Sequence, residues 1–121
     1  MAKRILVVED QEDNRQILRD LLDSAGFDMI EAHDGEQALV KVSQHRPDLI
    51  LMDIQLPLLD GYEATRRIKA NPDFKAIPII VVTSYALSGD EGKARAAGCD
   101  AYVTKPYSPR QLLAKIREYL P

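Results

Sequence analysis

The chain has 121 residues, enough for one domain of ordinary size and too few for a second on a linker, so 1–121 reads as a single domain without an output domain. Apolar residues at 45 % and charged residues at 29 % exclude a disordered chain, and the single cysteine, Cys99, excludes an internal disulfide or a cysteine-based metal cluster. A net charge of −3 gives no footing for nucleic-acid binding, and the apolar runs are too short for a signal peptide or a bilayer span; the expectation is a soluble cytoplasmic protein.

Short apolar runs alternate with segments of helical spacing. Ile5–Val8 predicts a first strand. Ile17, Leu18, Leu21, Leu22 and Ala25 form a helical stripe beginning near Gln11, with Gly26 as C-cap. Met29-Ile30 predicts a second strand, and Ala38, Leu39 and Val42 a second helix. Leu49–Met52 reads as a third, central strand. Ala64 and Ile68 mark a weaker helix ended by Asn71-Pro72. Ile79–Val82 predicts a fourth strand. The segment Gly89–Ala97 has only alanines on any face, which predicts a poorly anchored, mobile helix. Ala101–Val103 predicts a fifth strand. Leu112, Leu113, Ile116 and Leu120 form the last helix, opened by Ser108-Pro109 as N-cap and first-turn proline.

Nearly continuous apolar runs fit strands buried on both faces. Strand then helix, five times over, predicts an α/β doubly wound parallel sheet with helices on both faces and right-handed crossovers.

In such sheets ligands bind beyond the carboxyl ends of the strands. There the sequence places Glu9 and Asp10, Asp53, Thr83 and Ser84, and Thr104, Lys105 and Pro106. Clustered carboxylates repel one another unless a cation neutralises them. Oxygen-only ligands favour a hard cation such as Mg²⁺, which takes one or two carboxylates and phosphate oxygens. Lys105 supplies a charge suited to a phosphoryl oxygen, and Thr83 or Ser84 a hydrogen-bond donor. An aspartate can itself accept a phosphoryl group as an acyl phosphate. Glu9 and Asp10 are adjacent and can share a metal, whereas Asp53 stands alone at the end of the central run, so Asp53 is the better acceptor.

In this order and spacing, Val7-Val8-Glu9-Asp10, Asp48–Asp53 with Pro57 and Asp60-Gly61, Val82-Thr83, Ala97–Asp100, and Tyr102 with Lys105-Pro106 are similar to a bacterial response regulator receiver domain of the single-domain chemotaxis or cell-division type. The resemblance runs from about Lys3 to Tyr119. It implies a flavodoxin-like five-stranded sheet in the order 2-1-3-4-5. It implies that Asp53 accepts a phosphoryl group from a histidine kinase or histidine phosphotransferase, with Mg²⁺ held by Glu9, Asp10, Asp53 and the backbone carbonyl of Gln55. Thr83 would move to meet the phosphoryl group, Lys105 would pair with it, and Tyr102 would be the aromatic switch. The Lys105-Pro106 bond would be cis. The chain would be a phosphoacceptor rather than an enzyme, beyond catalysing its own phosphorylation and dephosphorylation. Gln55 and Tyr85 would flank the phosphoryl group.

Two other classes share parts of this pattern. A haloacid-dehalogenase-like phosphatase needs a second acid two residues after the nucleophile, where this chain has Gln55. A flavodoxin-like electron carrier needs a phosphate-binding loop after the first strand, where this chain has Glu9-Asp10-Gln11-Glu12-Asp13. Charge is unevenly spread: 13 acidic and 6 basic residues fall in 1–60, against 6 and 10 in 61–121. The basic half, with Lys93, Arg95, Arg110, Lys115 and Arg117, is the expected surface for a downstream protein partner. Cys99 reads as a small buried hydrophobe, and His33 and His45 as surface residues.

Overall fold

The computed structural model describes residues 2–83 and 90–121. Ser84, Tyr85 and the expected helix start at Gly89 lie outside the described residues. Among the described residues ten elements alternate: β1 (Arg4–Val8), α1 (Glu12–Ser24), β2 (Asp28–Ala32), α2 (Gly35–His45), β3 (Leu49–Met52), α3 (Gly61–Ala70), β4 (Ile79–Thr83), α4 (Asp90–Ala97), β5 (Ala101–Thr104) and α5 (Pro109–Tyr119). All strand pairs are parallel, in the order β2-β1-β3-β4-β5.

Alternate strand residues feed two cores, because successive side chains leave opposite faces of a sheet. Leu6, Val8, Ile50, Met52, Ile79 and Val81 pack with Ala38 and Val42 of α2, Ala64 and Ile68 of α3 and Ala94 of α4. Ile5, Val7, Leu49, Leu51, Ile80 and Val82 pack with Leu18 and Leu22 of α1 and Leu112 and Ile116 of α5. This two-sided burial is why the runs are continuous rather than alternating.

The helix starts are written locally. Asp34 and Asp60 accept from the backbone N–H of Gln37 and Glu63, and Ser108 and Gln111 form a reciprocal capping box. Helix α1 has no side-chain cap, but Glu12 and Asp13 complement its positive end. Gly26 ends it at φ 87, a conformation that a side chain would strain.

One expectation is corrected. Ile17 belongs to the predicted apolar stripe of α1 yet is 56 % exposed; the buried face of α1 is Arg15, Leu18 and Leu22. In α4 the buried contacts come from alanines, as expected: Ala94 and Ala97 are 0 % and 3 % exposed.

Register brings the strand ends level. Val8 lies opposite both Ala32 and Met52. Hydrogen bonding continues one step further, with Glu9 N–H donating to the Ala32 carbonyl and Asp53 N–H to the Val8 carbonyl, both at 3.0 Å. Lys105 N–H donates to the Thr83 carbonyl at 2.7 Å. The first residues beyond β1, β3 and β5 are thus tied to neighbouring strand ends on one edge.

Candidate functional site

Glu9, Asp10 and Asp53 each offer a carboxylate oxygen, and the three oxygens lie within 4.8 Å of one another. Glu9 is buried, Asp53 half-buried and Asp10 exposed, so the cluster opens to solvent on the side of Asp10. Lys105 reaches into it: Nζ donates to Glu9 Oε1 at 2.9 Å and to Asp53 Oδ2 at 3.4 Å. Burial works against its ammonium charge, but Glu9 and Asp53 outweigh that, and its pKa lies above the ordinary 10.5. Three carboxylates against one ammonium leave two negative charges in a small volume.

Glu9 is the most constrained of the three acids. Its Oε1 also accepts from Asn14 at 3.3 Å, and its Oε2 accepts from Gln11 N–H at 3.1 Å. Its backbone carbonyl accepts from Arg15 Nη1 at 2.8 Å. Asp53 accepts from Gln55 N–H at 3.3 Å through Oδ1.

The backbone of Asp53 is held from below by α3. Gly61 N–H donates to the Ile54 carbonyl at 2.9 Å. A Cβ at Gly61 would overlap the Asp53 carbonyl, so only glycine lets α3 begin this close to the acid. Gly35 at the start of α2 packs in the same way against the Leu59 backbone of the loop that follows Asp53.

Thr83, at the end of β4, is fully buried and lies opposite Thr104. Tyr102 is half-buried in β5 and packs against the core that faces α2, α3 and α4. The Lys105–Pro106 peptide is cis. Beside the acids, Asn14, Ile17, Pro106, Tyr107 and Pro109 line a groove of about 310 Å³ that also touches Glu9 and Lys105. Burial holds the Tyr107 phenol above its ordinary value of 10.0, with Lys105 pulling the other way.

Of the five expected basic surface residues, Lys93, Arg95, Arg110 and Arg117 are exposed and Lys115 is half-buried. Arg95 lies 3.4 Å from Glu91. Lys115 pairs with Glu118 at 3.1 Å, and Arg117 stacks 5.6 Å over Phe27 at the end of α1. Arg95, Lys115 and Arg117 are thus all engaged by their own chain, and Arg117 lies over Phe27, which packs in the core shared by α1 and α5. Burial raises the pKa of the Cys99 thiol. His33 is exposed and His45 half-buried.

Sequence reasoning missed Arg15, Asn14 and the close packing of Gly35 and Gly61. Arginine is rarely buried, so nothing singled out Arg15. A basic residue on the first turns of α1, facing the strand whose acids it serves, is the signal to look for.

A family model described as the response regulator receiver domain matches residues 5–117. The chain is 43 % identical over 120 residues to the polar-differentiation response regulator DivK of Brucella anthropi, covering 99 % of this chain and 98 % of that one. Among solved structures it is similar to the receiver domain of a Pseudomonas aeruginosa PAO1 sensor histidine kinase with a magnesium ion coordinated in its active-site cleft, at 37 % identity and a TM-score of 0.92, covering 99 % and 98 % of the two chains. It is also similar to the Vibrio cholerae chemotaxis protein CheY4, at 27 % identity and a TM-score of 0.92, covering 98 % of this chain and 99 % of that one.

Proposed function

The chain belongs to the response regulator receiver domain family of two-component signalling systems, and from that premise we propose that Asp53 is its phosphoacceptor, charged by a histidine kinase or histidine phosphotransferase and read out by a protein partner. The observation that carries this reading is the convergence of Glu9, Asp10 and Asp53 within 4.8 Å, with Lys105 Nζ bridging the first and the last.

A carboxylate oxygen of Asp53 attacks the phosphorus of a phosphohistidine. The P–N bond breaks, its electron pair stays on the imidazole nitrogen, and an acyl phosphate forms. In reverse regulation, water adds to phosphorus and the Asp53 carboxylate leaves restored. The chain's own part is to position groups and neutralise charge. Lys105 turns from Asp53 toward a phosphoryl oxygen. Thr83, one strand away, supplies a hydroxyl to another, and Tyr102 follows it by changing its exposure. Gln55 stands two residues past Asp53, where its side chain limits the approach of water.

The donor set fits a hard divalent cation. All the acids offer oxygen, and their residual charge with Lys105 equals that of one such ion. Mg²⁺ would be held by Glu9, Asp10, Asp53 and the backbone carbonyl of Gln55, and when bound it neutralises the acids and the phosphoryl oxygens together.

Two surfaces serve two partners. The groove at Ile17, Pro106, Tyr107 and Pro109 is apolar and touches Glu9 and Lys105, whose ammonium also reaches Asp53, so it suits the phosphohistidine-bearing protein, which must approach that side chain. The exposed cations Lys93, Arg95 and Arg110 on α4 and α5 suit an acidic downstream partner. Phosphorylation adds nearly two negative charges at the carboxyl edge, enough to shift a two-state element of α4 and Tyr102 by a few kcal/mol.

The test is intact-protein mass after incubation with Mg²⁺ and acetyl phosphate. The wild type is expected to gain one phosphoryl group and Asp53→Asn none. Equal modification of both would overturn the assignment.

A further inference from the structure

We propose that Arg15 is a positioning residue for the metal site, acting through the peptide that joins Glu9 to Asp10. This rests on the metal-site reading above and extends it to a residue outside the acid cluster.

Arg15 lies on α1 and is buried, with its side chain 7 % exposed. Burying a guanidinium is costly unless each face finds a partner. Its Nη2 meets Glu12 on the same helix, and its Nε lies 3.2 Å from Glu31 Oε1 on β2, an ion pair rather than an aligned hydrogen bond. Glu31 is itself gripped by Arg19, with Nη2 at 2.6 Å and Nε at 3.3 Å. These contacts anchor the guanidinium to two scaffold elements.

The remaining contact is different in kind. Nη1 donates to the Glu9 carbonyl at 2.8 Å, in a buried, charge-assisted bond. That carbonyl belongs to the peptide between Glu9 and Asp10. A peptide is planar, so fixing its oxygen fixes the orientation of both flanking Cα atoms. Those two Cα atoms carry two of the three proposed metal ligands. On the other side, Glu9 N–H is held by the Ala32 carbonyl at 3.0 Å. The acid pair is therefore clamped through its backbone at two points, and only one of them uses a side chain.

The cluster acts by geometry and not by field. Arg15 and Arg19 face Glu12 and Glu31, so its charges cancel. Groups that orient metal ligands from behind are worth about 10–100-fold in metal affinity.

The experiment is calorimetric titration with Mg²⁺ alone, on folded protein, for wild type, Arg15→Met, Arg15→Lys, Glu31→Gln and Asp10→Asn. Arg15→Met is expected to weaken Mg²⁺ binding about 10-fold. Arg15→Lys keeps a cation able to reach the carbonyl and is expected to recover most of the affinity. Glu31→Gln loosens the scaffold but leaves the carbonyl contact, so it lowers thermal stability with Mg²⁺ affinity near wild type. Should Arg15→Met not fold, Arg15→Gln takes its place, since its amide is too short to reach the carbonyl, and the same loss is expected. Wild-type affinity in the Met or Gln variant overturns the positioning role, as does an equal loss in Glu31→Gln. A wild type that binds no Mg²⁺, or an Asp10→Asn variant that binds as well as wild type, overturns the metal-site reading itself.

Discussion

Lys105 Nζ stands 2.9 Å from Oε1 of Glu9, a residue 96 positions earlier in the chain and only 3 % exposed. A buried carboxylate beside two other acids has its charge met by one lysine from the far end of the sequence. Lys105→Met would leave Glu9 buried without its cation, which costs about 1–3 kcal/mol. Melting in EDTA should show that loss, and added Mg²⁺ should recover more stability in the variant than in wild type. The sign of the pH dependence follows from the raised pKa of Lys105. Its contribution is present below the ordinary 10.5 and is lost as pH rises through the higher folded value, so on the alkaline side wild type and variant should converge in that range.

Gly61→Ala tests how α3 supports Asp53. The added methyl would overlap the Asp53 carbonyl. The helix or the acid must shift, at a cost of about 1–3 kcal/mol. Chemical denaturation should show the loss, and phosphorylation by acetyl phosphate should slow even at temperatures where the variant is fully folded. An unchanged rate would mean that the Asp53 backbone is not held by this contact.

Ile17 separates the donor from the chemistry. It is exposed on the groove beside the site and contributes little to the core. Ile17→Asp should leave melting and acetyl phosphate labelling unchanged, while transfer from a phosphohistidine protein falls about 10-fold, as expected for an interface anchor worth about 1–2 kcal/mol. Equal effects on both donors would place Ile17 outside the docking face.

Cys99 should be inert in the native state. Its thiol is buried and its pKa raised above the ordinary 9.0, so the reactive thiolate is scarce near neutral pH. A thiol reagent should modify denatured protein rapidly and native protein only as fast as it opens.

The sheet and its edge were legible because two-sided burial leaves a plain mark. Ile5–Val8, Leu49–Met52 and Ile79–Val82 are unbroken apolar runs, and the residues after them, Glu9, Asp10, Asp53 and Thr83, stand on one edge by topology alone. Less legible was what depends on neighbours distant in sequence. Ile17 fits the spacing of the α1 stripe, but Arg15 holds the inner position because Glu9, Glu12 and Glu31 surround it. Gly61 stands in the sequence only as part of Asp60-Gly61, and the nearness of the Asp53 carbonyl alone shows why no side chain fits there. Arg117 counts toward the basic half by sequence alone, which does not show that it also lies 5.6 Å over the Phe27 ring.

The most direct test of the central claim is borohydride trapping of the phosphorylated protein. An acyl phosphate at Asp53 would be reduced to homoserine at that position, found by peptide mass in wild type treated with Mg²⁺ and acetyl phosphate and absent when the metal is chelated. Homoserine at another aspartate, hydroxynorvaline at a glutamate, or labelling that persists in Asp53→Asn, would contradict the account.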